Sequence, residues 1–289
     1  IDMTKWSVVA CDQYTSEMNY WNEVEKIVGT SPSTLRITLP EIFLEDSDVN
    51  ERINKINNTM KEYLDEDLFY ELKDSMIYLE RTQADGRVRE GLIGMVDLED
   101  YSYEKGSQTL IRATEKTVIE RIPPRLKVRE NALLELPHIM ILIDDEKKKI
   151  IEDLKNEVTD SEVVYDFDLM ENGGHIKGYK LNNDSMTKVE EGLEALCNKE
   201  YFEKKYNVKD KGILLFAMGD GNHSLATAKA NYENLKKIMT PDEYLNNPSR
   251  YALVELVNLH SEALEFEPIH RVIFDTDVNK LIEELYKYY

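Results

Sequence analysis

The sequence has little of what marks secreted, membrane-spanning or nucleic-acid-binding proteins. It contains two cysteines, Cys11 and Cys197, in 289 residues, too few for a disulfide framework, so we expect a reducing compartment and a cytoplasmic protein. The longest apolar runs, residues 138–143 and 213–218, have the length of strands and fall far short of the ~20 residues of a membrane span. No secretory signal pattern is visible, so no membrane association is expected.

Positive charge is also scarce. There are 36 Lys and Arg residues against 57 Asp and Glu, a formal net charge of −21. Such a surface repels nucleic-acid phosphates and anionic lipid, which argues against a general nucleic-acid binder. Any local cluster of cations is therefore informative. The 42% hydrophobic share still fits a globular chain with a sizeable core.

The hydrophobic patterning predicts a mixed α/β (α+β) fold in which helices pack on a mixed sheet. Helical spacing marks residues 17–28, 49–64, 146–158, 186–197 and 224–238, with a further helix at the end of the chain. Alternation or apolar runs predict strands at 6–10, 75–81, 88–96, 138–143, 163–169, 176–181, 212–218, 251–259 and 266–274. We expect residues 1–289 to form one catalytic unit within a longer chain, with a seam between two lobes near 144–149.

Residues 111–129 form a basic segment in this acidic chain. The segment contains six Lys or Arg residues and two Glu residues, which gives it a local net charge of +4. Guanidinium groups fork onto phosphate oxygens and stay charged at any working pH, so we interpret the arginines as phosphate-binding. They are Arg112, Arg121, Arg125 and Arg129. Glu115 is assigned to a Mg²⁺ ion held on that phosphate. Alternatively, these arginines pair with surrounding carboxylates on the surface.

A second polar segment, Gly-Asp-Gly-Asn-His-Ser at residues 219–224, follows an apolar strand and opens a predicted helix. Glycines there let the backbone approach a ligand, and a helix start offers unpaired N–H groups to an anion. Asp220 and His223 are interpreted as catalytic: Asp220 either holds a metal or accepts a hydroxyl proton, and His223 acts either as an acid–base group or as a phosphate contact. The phosphate-binding assignments are Gly219, Gly221, Asn222 and Ser224. The alternative is a tight turn with Asn222 or Ser224 as a helix cap.

Two further pairs of residues are assigned to the substrate. Asp12 and Gln13 follow the first predicted strand, and His270 and Arg271 stand at the entry of a late one. We expect segments 111–129 and 219–224 to face one shared cleft. The chain has no P-loop, no Gly-x-Ser-x-Gly elbow and no His/Cys metal spacing, which weighs against a P-loop kinase and an α/β-hydrolase.

Several of these stretches together resemble the domain-of-unknown-function 1015 family. They are residues 6–15, 91–93, 97–101, 111–129, 219–228 and 268–272, in the order of the family. Familiar members often carry Asp-Gly-His-His-Arg where this chain has Asp-Gly-Asn-His-Ser at 220–224, so Ser224 replaces the arginine. That loop is similar to one in ParB-like proteins and free-serine kinases. The resemblance implies a ParB/sulfiredoxin-like core and a small-molecule kinase.

These observations lead to a Mg²⁺-dependent phosphotransferase acting on a small hydroxyl compound, such as the amino acid serine. Phosphoryl transfer needs mainly positioning and charge neutralisation, which this inventory of residues supplies. The phosphate donor is expected to be a nucleotide or pyrophosphate. The rival hypotheses are a nucleotide-binding regulatory protein without turnover and a purely structural module, in which the polar segments would not converge. The oligomeric state is not predicted.

Overall fold

A computed structural model gives the fold and describes residues 1–11, 14–136, 139–158, 163–265 and 273–288. In this part of the chain the helices are α1 (Met3–Trp6), α2 (Met18–Val28), α3 (Val49–Asp65), α4 (Ile122–Arg129), α5 (Asn183–Leu196), α6 (Lys199–Tyr206), α7 (Asn222–Lys236), α8 (Pro241–Leu245) and α9 (Val278–Tyr288). The strands are β1 (Ile77–Thr82), β2 (Val88–Asp97), β3 (Tyr101–Ser102), β4 (Ile111–Arg112), β5 (Ile139–Ile143), β6 (Val163–Asp168), β7 (His175–Lys180), β8 (Phe216–Asp220) and β9 (Tyr251–Asn258).

The described strands form one mixed sheet in the order β3-β4-β8-β5-β9-β2-β1-β7-β6. Strand β8 runs parallel to β4 and antiparallel to β5, and β5 runs parallel to β9. The other half of the sheet is antiparallel, built from the hairpins β1–β2 and β6–β7. The predicted mixed sheet with packed helices is confirmed. Strands that precede residues 144–149 in the sequence and strands that follow them are interspersed in this single sheet.

The main core lies between one face of the sheet and helices α5 and α7. Met218 of β8 and Leu225, Ala228 and Tyr232 of α7 are all at most 1% exposed. Burial of a Leu or Met side chain contributes roughly 2 kcal/mol, so the contact that holds α7 on the sheet is strong. Because α7 begins directly after β8, this packing also fixes the position of the turn between them.

The N-terminal helices make two smaller clusters. Helix α2 buries Tyr20, Trp21, Val24 and Val28 together with Met170 at the β6–β7 turn. Helix α3 packs on the segment that precedes β5, with Leu134 and Leu136 against its buried side chains. In the described residues, no helix is long and apolar enough to cross a membrane.

Two predicted elements are wrong for identifiable reasons. The strand predicted at residues 6–10 is absent: Trp6 ends the short helix α1, which Asp2 caps by accepting a hydrogen bond from Thr4 N, and residues 7–10 are irregular. The charged helix predicted at 146–158 is an irregular segment with a 3₁₀ turn at Glu152–Asn156. There the Asp145 carboxylate accepts from the N–H groups of Lys147, Lys149 and Ile150, which holds the chain in a non-helical path.

The edge hairpin β6–β7 carries a charged bridge. His175 Nδ1 lies 2.7 Å from Asp168 Oδ1 and Nε2 lies 2.7 Å from Asp166 Oδ1. The hydrogen bond to Asp168 is the largest influence on the pKa of His175, and with that to Asp166 it outweighs burial and raises this pKa. Both carboxylates favour the charged imidazolium form of His175 over the neutral imidazole.

The contribution of His175 to stability should therefore decrease as pH rises above 6.5. Its folded pKa lies above its ordinary value of 6.5, so the bridge stabilises fully below that pH and is lost as pH rises through the folded pKa. Since the groups are exposed, we expect the change to be only about 1–2 °C in melting temperature. His175→Asn should remove this pH-dependent difference. An NMR titration giving His175 a pKa at or below 6.5 would contradict the prediction.

Candidate functional site

The turn between β8 and α7 is built around a glycine and a β-bulge. Met140 of β5 pairs with Asp220 and Ile141 pairs with Met218, so Gly219 is the extra residue of the bulge. Gly221 has φ +83°, and a Cβ at this position would lie 3.2 Å from the backbone of Ile139. Only glycine adopts this conformation at low cost in such a close contact. The exposed Asp220 accepts a hydrogen bond from Gly221 N at 2.7 Å.

Helix α7 begins without a side-chain cap. Gly221 occupies the N-cap position, so the predicted caps Asn222 and Ser224 are wrong: both lie inside the first turn of the helix. Asn222 is 7% exposed, and its Oδ1 has no hydrogen-bond partner among the described residues. An uncapped 15-residue helix presents N–H groups and a partial positive charge at its start. This is the arrangement that binds anions in many proteins.

The basic segment meets the start of α7. Val118 N donates to His223 Nε2 at 3.2 Å, and Thr114 Oγ1 donates to Met218 O at 2.9 Å. Helix α4 packs along α7. The neighbouring Thr117 is 6% exposed, and no group in the described part of the chain forms a hydrogen bond with its Oγ1. Segments 111–129 and 219–224 are therefore in contact with each other.

His223 is neutral, with its proton on Nδ1. A ring nitrogen that accepts a hydrogen bond carries no proton, and Nε2 accepts from Val118 N. Burial is the largest cause of the lowered pKa of His223, followed by the charges of Arg121 and Arg125. While the Val118 bond is made, Nε2 cannot act as a base. Of the two roles expected from the sequence, a hydrogen-bond donor at Nδ1 fits the phosphate contact and not the acid–base role.

Of the four predicted phosphate-binding arginines, Arg121 and Arg125 lie beside the start of α7. Arg121 is exposed and has no ion-pair partner among the residues that the structure describes. Arg125 contacts the Glu41 carboxylate and donates to Arg121 O at 3.1 Å. The charges of these two arginines lower the pKa of His223, and those of Glu115 and Glu41 act in the opposite direction. Glu41 comes from a 3₁₀ turn in the N-terminal third of the chain.

The other two arginines are engaged elsewhere. Arg112 donates to Thr109 O, Gly212 O and Ile213 O at 2.6–2.7 Å, which ties β4 to the segment before β8. Its guanidinium therefore lies toward the beginning of β8, away from Asp220 at its end, and the phosphate assignment of Arg112 is not supported. Arg129 lies 2.7 Å from the Glu135 carboxylate, as the alternative interpretation expected.

Glu115 is exposed, and the described residues form no preformed metal site around it. In the described chain the group with metal-ligand spacing is Asp144, Glu146 and His260, at the other end of β5. Lys205 Nζ already lies 2.9 Å from Asp144 and 3.1 Å from Glu146, so an ammonium occupies the place of a cation. Burial opposes ionisation of Asp144, but hydrogen bonds from Tyr206, His260 and Lys205 lower its pKa to about 2.

The remaining assignments have different outcomes. Asp12, Gln13, His270 and Arg271 lie outside the described residues. Gly219 packs against β5, where a Cβ would meet Leu142 at 3.0 Å. Glu41 and the Val118 N–H group were missed by the sequence reasoning. No local pattern indicates them, because Glu41 is 84 residues from Arg125 and Val118 contributes only its backbone.

A family model described as "Protein of unknown function (DUF1015)" matches residues 1–289. The chain belongs to the DUF1015 family. Neither the curated proteins nor the solved structures contain a match to it. The membership inferred from the scattered motifs is thus confirmed over the whole sequence.

The electrostatic contact between His223 and Arg121 can be measured directly. Arg121→Gln should raise the pKa of His223 toward its ordinary value of 6.5, because one of the two repelling guanidinium charges is removed. The readout is an NMR titration of the His223 ring protons. Lys127→Gln removes one charge from the adjoining helix α4 and serves as the control. Equal His223 pKa values in the wild type and Arg121→Gln would contradict the arrangement.

Proposed function

We propose that this protein is a small-molecule phosphotransferase that binds a phosphate group at the start of α7. The observation that carries the proposal is the junction of the basic segment with the uncapped helix through the Val118–His223 hydrogen bond. The first-turn N–H groups, the Nδ1–H of His223 and the Arg121 guanidinium are donors that suit phosphate oxygens. Arg121 supplies a charge that no described carboxylate neutralises.

Asp220 is the proposed base. It stands at the end of β8, exposed, with one oxygen held by Gly221 N. The hydroxyl of an acceptor would give its proton to this carboxylate as its oxygen forms the new bond to phosphorus, and the bond to the donor's leaving group breaks. Positioning and charge neutralisation account for most of the acceleration in such reactions.

The donor, the metal and the acceptor are extensions of this proposal. We infer a nucleotide or pyrophosphate as donor, with Mg²⁺ held between its phosphates and the Glu115 carboxylate. Because no described carboxylate joins Glu115 in a metal-ligand group, the ligand would complete the metal's coordination. The similarity of residues 220–224 to free-serine kinases favours an amino acid such as serine as acceptor and a ParB/sulfiredoxin-like core. A cytoplasmic location and no nucleic-acid partner follow from the cysteine content and the net charge of −21.

A nucleotide-binding regulatory protein would use the same donors without turnover, and Asp220 separates the two hypotheses. Asp220→Asn keeps the size of the side chain but cannot take a proton. We expect this variant to lose phosphoryl transfer while the donor's affinity stays within about tenfold, or ~1.4 kcal/mol. The assay uses ATP, ADP or pyrophosphate with L-serine and other small hydroxyl compounds.

Asp65→Asn, at an exposed carboxylate at the end of α3, is the matched control for that assay. Phosphotransfer that persists in Asp220→Asn would remove Asp220 from the role of base. If the wild type binds a donor but shows no turnover with any pair, the regulatory hypothesis replaces the enzyme.

Glu41 should compete with the ligand for Arg125. Its carboxylate contacts this guanidinium, so a phosphate must displace it or share the arginine. Glu41→Gln should tighten pyrophosphate binding about 3- to 10-fold, which corresponds to the ~0.7–1.4 kcal/mol of a partly exposed ion pair. Isothermal titration calorimetry measures the change, with Glu45→Gln as the control from the same segment. Unchanged or weaker binding in Glu41→Gln would show that Arg125 does not serve the ligand.

A further inference from the structure

The hydrogen bond between the basic segment and α7 depends on the protonation state of one side chain. Val118 N donates to His223 Nε2, which accepts only while it carries no proton. Protonation turns Nε2 into a donor, so two N–H groups then face each other, and an oxygen atom of an anion can accept from both. Since each N–H···O bond spans about 2.9 Å, the two nitrogens, now 3.2 Å apart, need to separate by roughly 1.5 Å.

This hydrogen bond lies at the surface, where a small anion can reach it. Val118 is 40% exposed and His223 is partly buried. Val118 is also the N-cap residue of the 3₁₀ turn Ile119–Arg121, so the bond holds the start of the turn that carries Arg121. Thr117 directly precedes Val118, and its hydroxyl, which bonds to no group in the described chain, is a further donor. An oxyanion at this point would therefore meet donors from both segments.

The charged groups around the imidazole come from several elements. They are Arg121 and Arg125 in the basic segment, Glu115 before them, Glu41 in the N-terminal third of the chain, and Asp220, which stands three residues before His223 at the end of β8. Burial and then the two arginines lower the pKa of His223, and the two glutamates act in the opposite direction. A bound anion offsets the repulsion between a protonated imidazole and the arginines. The anion and the proton therefore each favour the binding of the other.

We propose that His223 couples the anion site to pH: an oxyanion and a proton bind together, and the oxyanion bridges the N–H groups of Val118 and His223. This inference rests on the proposed function and specifies how the phosphate site is regulated. At high pH the neutral imidazole holds the two segments together directly. As pH falls below 6.5, the affinity for a dianion rises, and each binding event takes up a proton from solvent.

Inorganic sulfate is the probe because it remains a dianion from pH 5.5 to pH 7.5, so any proton taken up belongs to the protein. Isothermal titration calorimetry in buffers of different ionisation enthalpy measures both affinity and proton uptake. Sulfate should bind at least about threefold more tightly at pH 5.5 than at pH 7.5, with proton uptake on binding. In NMR titrations the Val118 amide signal should follow the His223 ring protons, and sulfate should raise their common midpoint.

His223→Gln separates the hydrogen bond from the titration, because Gln Oε1 can accept from Val118 N but takes no proton. This variant should lose both the pH dependence of sulfate affinity and the proton uptake. His260→Gln is the matched control and should keep both, since His260 contacts Asp144 at the other end of β5. Arg121→Gln is an independent test that leaves the imidazole in place: the midpoint of the Val118 titration should rise.

The outcomes separate this inference from the proposed function. Sulfate that binds equally at both pH values without proton uptake would overturn the coupling and leave the anion site standing. Proton uptake that persists in His223→Gln, or a Val118 midpoint that does not move in Arg121→Gln, would also overturn it. Absence of sulfate binding at either pH would remove the anion site itself, and the coupling with it.

Discussion

The pairing of β8 between β4 and β5 is the constraint on which the candidate site depends. Parallel pairing with β4 brings the segment after Arg112 alongside the end of β8, and antiparallel pairing with β5 creates the bulge at Gly219. Tight burial of Met218 and Leu225 then fixes the direction in which α7 leaves. The contacts between Thr114, Val118 and the start of α7 follow from these pairings, although about a hundred residues separate the partners in sequence.

The sequence predicts this protein best where structure is locally determined. Alternation and the Asp85–Gly86 turn are sufficient to identify the β1–β2 hairpin, and helical spacing identifies α2, α3 and α5. It fails where one side chain redirects the backbone. Asp145 holds three N–H groups and prevents the helix that the charged pattern after it indicates. The hydrophobic periodicity of a sequence does not show which side chain will accept hydrogen bonds from backbone N–H groups.

The candidate site likewise has features that the local sequence predicts and features that it does not. The residue types in segments 111–129 and 219–224 point to anion chemistry, and the structure places those segments together. Which arginine serves which purpose depends on partners that are remote in sequence: carbonyls for Arg112, Glu135 for Arg129 and Glu41 for Arg125. The tautomer of His223 likewise depends on a backbone N–H group of another segment. The local surplus of positive charge identifies the region, and only the fold shows which partner each arginine has.

The charged hairpin at the edge of the sheet has a consequence for solubility. Strand β6 has no neighbour on its outer side in the described sheet, and such an edge is a template for pairing with another molecule. Here the outer strand carries Asp166 and Asp168, and its pairing with β7 shifts register between Val163 and Tyr165. A second copy docking edge to edge would bring these carboxylates against their counterparts and meet an irregular backbone. The same acids that hold His175 thus protect the sheet from growing into an aggregate.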